Sequence, residues 1–323
     1  MKARCALFLA LCLVHTAWAL IAVDSVSAYP EKPVTMICGF PAGGALDVTA
    51  RAIAEAAKKD FPKGLVVVNK PGAGSTIANA EVMAAKPDGY TIGIAASAPL
   101  TVMPHNTKLP YDKPDDYAPI MNLVDSPQCW AVGGDSPWKT IEEFIDYARK
   151  KPGDVRVGTA GVGTIFHLNV EQLKKLAGID LTFVPFQGGA EVVPALLGKH
   201  VGAACLNLAE ILPQVKAGKA RILAVIEEKR NPLVPDVPTF KEKGYDMTMG
   251  AYYLLFGPKG LPKDIKTRLH DTFRKAMKSP IFYDPIKARG FLIRYQGPDE
   301  ITARILRDHT ASAELVKKIK KAK

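Results

Sequence analysis

Most signatures of chemistry are missing from this 323-residue chain. There is no Cys-x-x-Cys, so neither a dithiol redox pair nor a zinc ribbon is encoded. No Gly-x-Ser-x-Gly elbow and no His-Glu-x-x-His occur, which removes the usual marks of a serine hydrolase or a zinc protease. The six histidines stand singly. No pair of His or Cys at ligand spacing has a third ligand nearby, so neither a metal nor a cofactor is expected. Lys and Arg outnumber Asp and Glu by 43 to 32. They are spread over helix surfaces and the Lys317–Lys323 end without interleaved aromatics, which argues against nucleic acid. A net charge of +11 instead favours small anions as partners. With 48% apolar residues, 26 Gly and 25 Pro, disordered, collagen-like and coiled-coil classes are excluded. The length exceeds what one core usually holds, and two domains are expected.

What is present begins with a leader. Lys2 and Arg4 make a basic start, Cys5 to Val14 is uncharged and apolar, and His15 and Thr16 interrupt before Ala17 to Val23. Val26-Ser27-Ala28 sets small residues where a signal peptidase reads. Ala17-Trp18-Ala19 is a competing site, but cleavage after Ala28 leads directly into a strand. The alternative is an uncleaved anchor, since the two apolar pieces together approach the ~20 residues of a span. Leu9-Ala10-Leu11-Cys12 makes a poor lipobox, because Leu11 is bulky. Residues 1–28 are therefore read as a signal peptide and the mature chain as exported. Cleavage removes Lys2, Arg4 and Asp24, lowering the charge from +11 to +10. Cys38, Cys129 and Cys205 then remain, each in an apolar strand-like context, and are expected as buried free thiols.

From Tyr29 onward, β-branched runs alternate with stretches of helical period. Val34–Phe40, Leu65–Asn69 and Thr91–Ala95 read as strands, separated by helices whose apolar positions are Leu46, Ala50, Ile53, Ala57 and then Ile77, Ala80, Ala84. The same alternation resumes at Gln128 and runs to Val225. Such units imply parallel sheets covered on both faces. Residues 29–128 with 250–323 are expected to form one domain and 129–249 the other. Pro-rich Lys108–Pro119 and Asn231–Pro238 read as surface crossings.

Glycine-rich strings sit where strands give way to helices. Gly39-Phe40-Pro41-Ala42-Gly43-Gly44-Ala45-Leu46-Asp47 is the most informative, because backbone N–H groups and the helix dipole there favour an anion. No Gly-Lys-Ser/Thr follows, and Gly-x-Gly-x-x-Gly fails, so it is neither a P-loop nor a dinucleotide fingerprint. Gly161-Val162-Gly163-Thr164 repeats the device, with Thr164 as a good N-cap and His167 in the first turn, four residues before Glu171. Pro71–Thr76 and Gln187–Ala190 are two further strings; turn chemistry can account for either, but glycine-rich loops at this many strand ends are more than connections require.

In order along the chain, several of these strings resemble one family. They include Tyr29-Pro-Glu-Lys-Pro33, the Gly39–Asp47 loop with Ala50-Arg51, Asn69-Lys-Pro-Gly-Ala-Gly74, Pro87-Asp-Gly-Tyr-Thr91 and Leu109-Pro-Tyr-Asp112. Gly161-x-Gly163-Thr164 with His167-Leu168, Val184-Pro-Phe-Gln-Gly188, Lys216-Ala-Gly-Lys219 and Pro235-Asp-Val-Pro-Thr239 follow. Together they resemble the extracytoplasmic solute receptors of tripartite tricarboxylate transporters, the Bug or TctC family, through essentially the whole mature chain. The resemblance implies an α/β type II periplasmic binding protein, two doubly wound domains joined by a hinge, binding a small carboxylate in the cleft. It further implies a periplasmic monomer that delivers its ligand to membrane permease subunits. The ligand-binding residues it implies are Phe40, Pro41, Ala42, Gly43, Gly44 and Asp47 in one loop, Gly161, Gly163, Thr164 and His167 in the second, and Ser97 and Asn207 at strand ends. Departures are Ser75 and Ala78 where the family often has Gly, Leu206 where Asp is frequent, and Tyr253 in place of an Arg.

Two other readings stay open at this stage: an enzyme on the same scaffold using His167 and Glu171, and a receptor that serves a signalling partner. The leader is testable at once. Intact mass of exported protein should fit a chain beginning at Tyr29; a chain beginning at Leu20 or retaining Met1 contradicts the cleavage site.

Overall fold

The structure, a computed structural model, describes residues 29–248 and 250–320. The proposed leader, with Cys5 and Cys12, and the last three residues of the basic end lie outside the described residues.

Two sheets organise the chain. β1 (Val34–Cys38), β2 (Leu65–Asn69), β3 (Thr91–Ala96), β4 (Tyr117–Ser126), β10 (Ala251–Pro258) and β11 (Leu292–Gln296) form the first, in the order β11-β4-β10-β3-β1-β2. β5 (Gln128–Gly133), β6 (Arg156–Ala160), β7 (Thr182–Phe186), β8 (Ala203–Asn207) and β9 (Ala220–Ile226) form the second, in the order β7-β6-β8-β5-β9. The chain passes between them at Pro127, and again between β9 and β10.

Helices fill the intervals. They are α1 (Ala45–Ala57), α2 (Thr76–Ala84), α3 (Ala98–Thr101), α4 (Ile141–Lys150), α5 (Ile165–Ala177), α6 (Gly189–Leu197), α7 (Leu208–Lys216), α8 (Lys263–Met277), α9 (Pro280–Ala288) and α10 (Pro298–Lys320). α4 shows why these segments coil. Thr140 Oγ1 accepts the Glu143 N–H at 3.2 Å, Glu142 and Glu143 sit at the positive end of the dipole, and Arg149 and Lys150 at the negative end. Ile141, Phe144, Ile145 and Ala148 form its buried stripe, with Phe144 edge-on to the fully buried Trp130. The stripe read for α1 is likewise buried at Leu46, Ala50, Ile53 and Ala57.

Neither sheet is purely parallel, which corrects the sequence expectation. β1 pairs in parallel with β2 and β3, and β6 with β7 and β8. β10, however, runs antiparallel to both β3 and β4, and β5 antiparallel to β8 and β9. The antiparallel strands flank the two passages between sheets, where the chain enters a sheet from its neighbour rather than through a covering helix. A central strand is a continuous apolar run in either direction, so its composition does not encode this. β4 also begins inside the stretch read as a crossing, at Tyr117. α9 carries Pro285 in its interior and β11 places exposed Arg294 and Tyr295 on an edge, so neither gave a clean period.

Cys38, Cys129 and Cys205 are free and buried. Burial pushes the Cys38 thiol up to about 12 and raises the other two, which keeps all three protonated and unreactive. No helix among the described residues is long and apolar enough to cross a membrane.

The packing of β3 against β10 can be tested at one atom. Gly93 pairs with Phe256, and a Cβ on Gly93 would lie 2.3 Å from the Phe256 ring. Gly93→Val should therefore cost about 2 kcal/mol through overpacking. Urea unfolding measures it; an unchanged midpoint would mean that the ring is free to move aside.

Candidate functional site

A cleft between the two sheets gathers the starts of four helices. Gly44 and Ala45 open α1 from the first sheet; Thr164 and Ile165, Gly188 and Gly189, and Asn207 open α5, α6 and α7 from the second. The first-turn N–H groups of a helix have no partner within it, and its dipole makes that end positive. Converging starts therefore make a concave site for negative charge built from backbone alone.

Polar side chains fix the starts of α1, α5 and α7. Before α1, Asp47 accepts the Gly43 N–H at 2.9 Å, Asn69 Nδ2 at 2.8 Å and Arg51 Nε at 3.0 Å. Asn69 Nδ2 also donates to the Phe40 carbonyl at 3.0 Å. Burial alone would raise the Asp47 pKa, but these donors outweigh it and hold the carboxyl below its ordinary range. Before α5, Thr164 Oγ1 donates to the carbonyls of Ala160 (2.8 Å) and Gly161 (3.1 Å), and the Gly161 N–H donates to Phe186 O. Thr164 thus occupies the N-cap position without capping through its side chain. His167 Nδ1 accepts the Gly163 N–H at 3.1 Å while its ring stacks on Phe183, so the imidazole braces the loop. Glu171 is ion-paired with Lys174 at 3.6 Å.

At α7, Asn207 and Glu210 form a capping box. Glu210 Oε2 accepts both the backbone N–H and Nδ2 of Asn207 at 3.1 Å, and Ser126 Oγ donates to Asn207 Oδ1 at 2.8 Å. Glu210 Oε1 reaches across the cleft to accept the Ala45 N–H at 3.2 Å. A Cβ on Gly189 would lie 2.0 Å from Oε2, so the start of α6 approaches the carboxylate as closely as only glycine allows. Burial raises the Glu210 pKa, opposed by the Ala45 and Asn207 donors. Tyr253 contributes a phenol that lies against Ser126 and Asn207, its pKa raised by burial and then by the charge of Glu210.

Of the residues singled out from sequence, Phe40, Pro41, Gly44, Thr164 and Asn207 line this cleft together. Ala42 and Gly43 form the exposed outer bend of the first loop. Asp47, Gly161, Gly163 and His167 are not among the lining residues. The glycines divide in role: Gly43, Gly161 and Gly163 have positive φ and make turns, whereas Gly188 and Gly189 permit close approach. A Cβ on Gly188 would lie 2.8 Å from Pro41, so the two halves touch there. Ser97 faces a neighbouring cavity of about 290 Å³, where Arg294, Arg304, Arg307 and Asp308 gather and Asp125 pairs with Arg294 (2.9 Å) and Arg304 (2.8 Å). Sequence reasoning missed Glu210, although Asn207-x-x-Glu210 is a legible capping box, and it left Gly188-Gly189 open between a plain turn and a ligand loop. The cleft itself is small, about 30 Å³, with no Lys, Arg or His in its lining. No group of His, Cys, Asp and Glu among the described residues could hold a metal ion.

Comparison with known proteins is consistent over the whole fold. Residues 49–321 match the model of the tripartite tricarboxylate transporter family receptor. A relative from Cupriavidus necator, described as UPF0065 protein in gbd 5'region, is 35% identical over 261 residues, covering 80% of this chain and 78% of the relative. The periplasmic binding protein BugD has a TM-score of 0.86 at 33% identity, covering 90% of this chain and 98% of BugD. MatC from Rhodopseudomonas palustris, solved with bound malate, has a TM-score of 0.85 at 27% identity, covering 89% of this chain and all (100%) of MatC. The matched family is one of receptors and not enzymes, and in this chain His167 braces its loop while Glu171 pairs with Lys174. By the family model and by its relatives, this chain belongs to the tripartite tricarboxylate transporter receptor family, the solute-binding Bug proteins.

Proposed function

We propose that this receptor captures a small carboxylate in the cleft between its two domains, in the periplasm, and delivers it to the membrane subunits of a tripartite tricarboxylate-type permease. The domains are residues 29–128 with 250–323, and 129–249. They hinge where the chain passes between the sheets, at Ser126–Gln128 and between β9 and β10. The receptor acts as a single copy.

One observation carries this reading: helix starts belonging to both sheets converge on one oxygen-rich position, where a carboxylate, that of Glu210, accepts the Ala45 N–H. A ligand carboxylate placed among the starts of α1, α5 and α6 would be held by backbone N–H groups from both domains, so that binding and closure are one event. Each charged hydrogen bond of this kind is worth about 1.5–3 kcal/mol, and a few of them suffice for micromolar affinity. Malate in MatC is a ligand of the expected class.

Native mass spectrometry of freshly purified protein should find a small carboxylate that is recovered unchanged, and scattering should show a smaller radius of gyration when it is bound. Conversion of the ligand, or binding without compaction, contradicts the proposal. Deleting the gene should abolish uptake; intact uptake with a lost transcriptional response would assign the receptor to signalling instead.

A further inference from the structure

Glu210 is a carboxylate in a cleft that the preceding reading assigns to carboxylates, and its position is fixed from its own side. The two Asn207 donors to Oε2 lie on the same helix cap, and Asn207 is itself held by Ser126. Opening the halves would break the Ala45 bond but leave this cap intact, so the Glu210 carboxylate faces the cleft in either state. Both of its oxygens accept N–H donors, an arrangement that suits the ionised form. No Lys, Arg or His lines the cleft to neutralise it. A charge so enclosed and lacking a counter-ion is complemented by a donor or a cation, and a second anion beside it is disfavoured.

We propose that Glu210 sets the ligand class of this receptor: a small molecule with one carboxylate and one hydrogen-bond-donating nitrogen, ammonium or primary amide, with the nitrogen seated on Glu210. The inference rests on the receptor reading above. The ligand carboxylate goes to the first-turn N–H groups that Glu210 leaves open at the starts of α1, α5 and α6, while Glu210 satisfies α7 and, in the closed state, the Ala45 N–H of α1. A dicarboxylate would set its second carboxylate against Glu210.

Calorimetry on wild type and Glu210→Gln with three series matched in chain length tests this: dicarboxylates from malonate to adipate, their half-amides, and the corresponding ω-amino acids. Wild type should bind an ω-amino acid or half-amide at least about tenfold more tightly than the matched dicarboxylate. The tighter of the two identifies the nitrogen. Gln keeps an acceptor for the Ala45 N–H but removes the charge, so Glu210→Gln should narrow or invert that ratio. A ratio within one protein cancels any partial loss of folded material, and a thermal melt of both proteins checks folding directly. Equal or tighter dicarboxylate binding by wild type, with the order unchanged in Glu210→Gln, overturns the role of Glu210 and leaves the carboxylate-receptor reading standing. Failure of all three series to bind either protein overturns both.

Discussion

The unpaired N–H groups of a helix's first turn must find an acceptor, and the architecture of this receptor arranges where several of them look for it. α1, α5, α6 and α7 all begin at strand ends that point into one cleft. A helix start that faces water satisfies its donors separately; starts that face one another share an acceptor. This sharing couples the two halves of the molecule, because α1 belongs to one sheet and the other three helices to the second. The contact between the Ala45 N–H and Glu210 spans 165 residues of sequence and joins the halves through a single oxygen atom.

Much of the remaining polar structure serves to aim those N–H groups. Asp47, Asn69 and Arg51 lock the bend before α1, and Thr164, Gly161 and His167 lock the one before α5. These residues are chemically able to bind ligands or transfer protons, but their donors and acceptors are engaged with the loop. Glu210 differs, since its carboxylate faces the cleft as well as its own cap. An acidic side chain thus stands at the place where the fold concentrates positive potential, its pKa raised by burial and held back by the Ala45 and Asn207 donors.

How much of this could be read in advance depended on which interactions were local. The stripe Leu46, Ala50, Ile53, Ala57 gave α1, and Leu65–Asn69 gave β2 to the residue, because helix and strand periods are local patterns. The glycine strings gave the first and second loops, because turns with positive φ at Gly43 and Gly163 need glycine. Strand direction was not legible: β10 is buried throughout and β5 up to its last residue, and neither carries a mark of the antiparallel course it takes. Nor was the split of roles within each loop. Whether Asp47 faces the ligand or the bend depends on Asn69, 22 residues away. Glu210 was readable as a cap, but its reach to Ala45 depends on how the two sheets are set against each other, which is a property of the folded chain alone.

The claim that backbone N–H groups at helix starts hold the carboxylate is tested most directly by nitrogen-edited NMR of the isotope-labelled receptor during ligand titration. The amide protons of Ile165, Phe166 and Gly189 should move downfield as the carboxylate binds, with Ala45 responding to closure, while the arginine side chains of the Ser97 cavity stay unchanged. Shifts confined to Arg294, Arg304 and Arg307, with the helix-start amides unmoved, would place the anion in that neighbouring cavity and contradict the account.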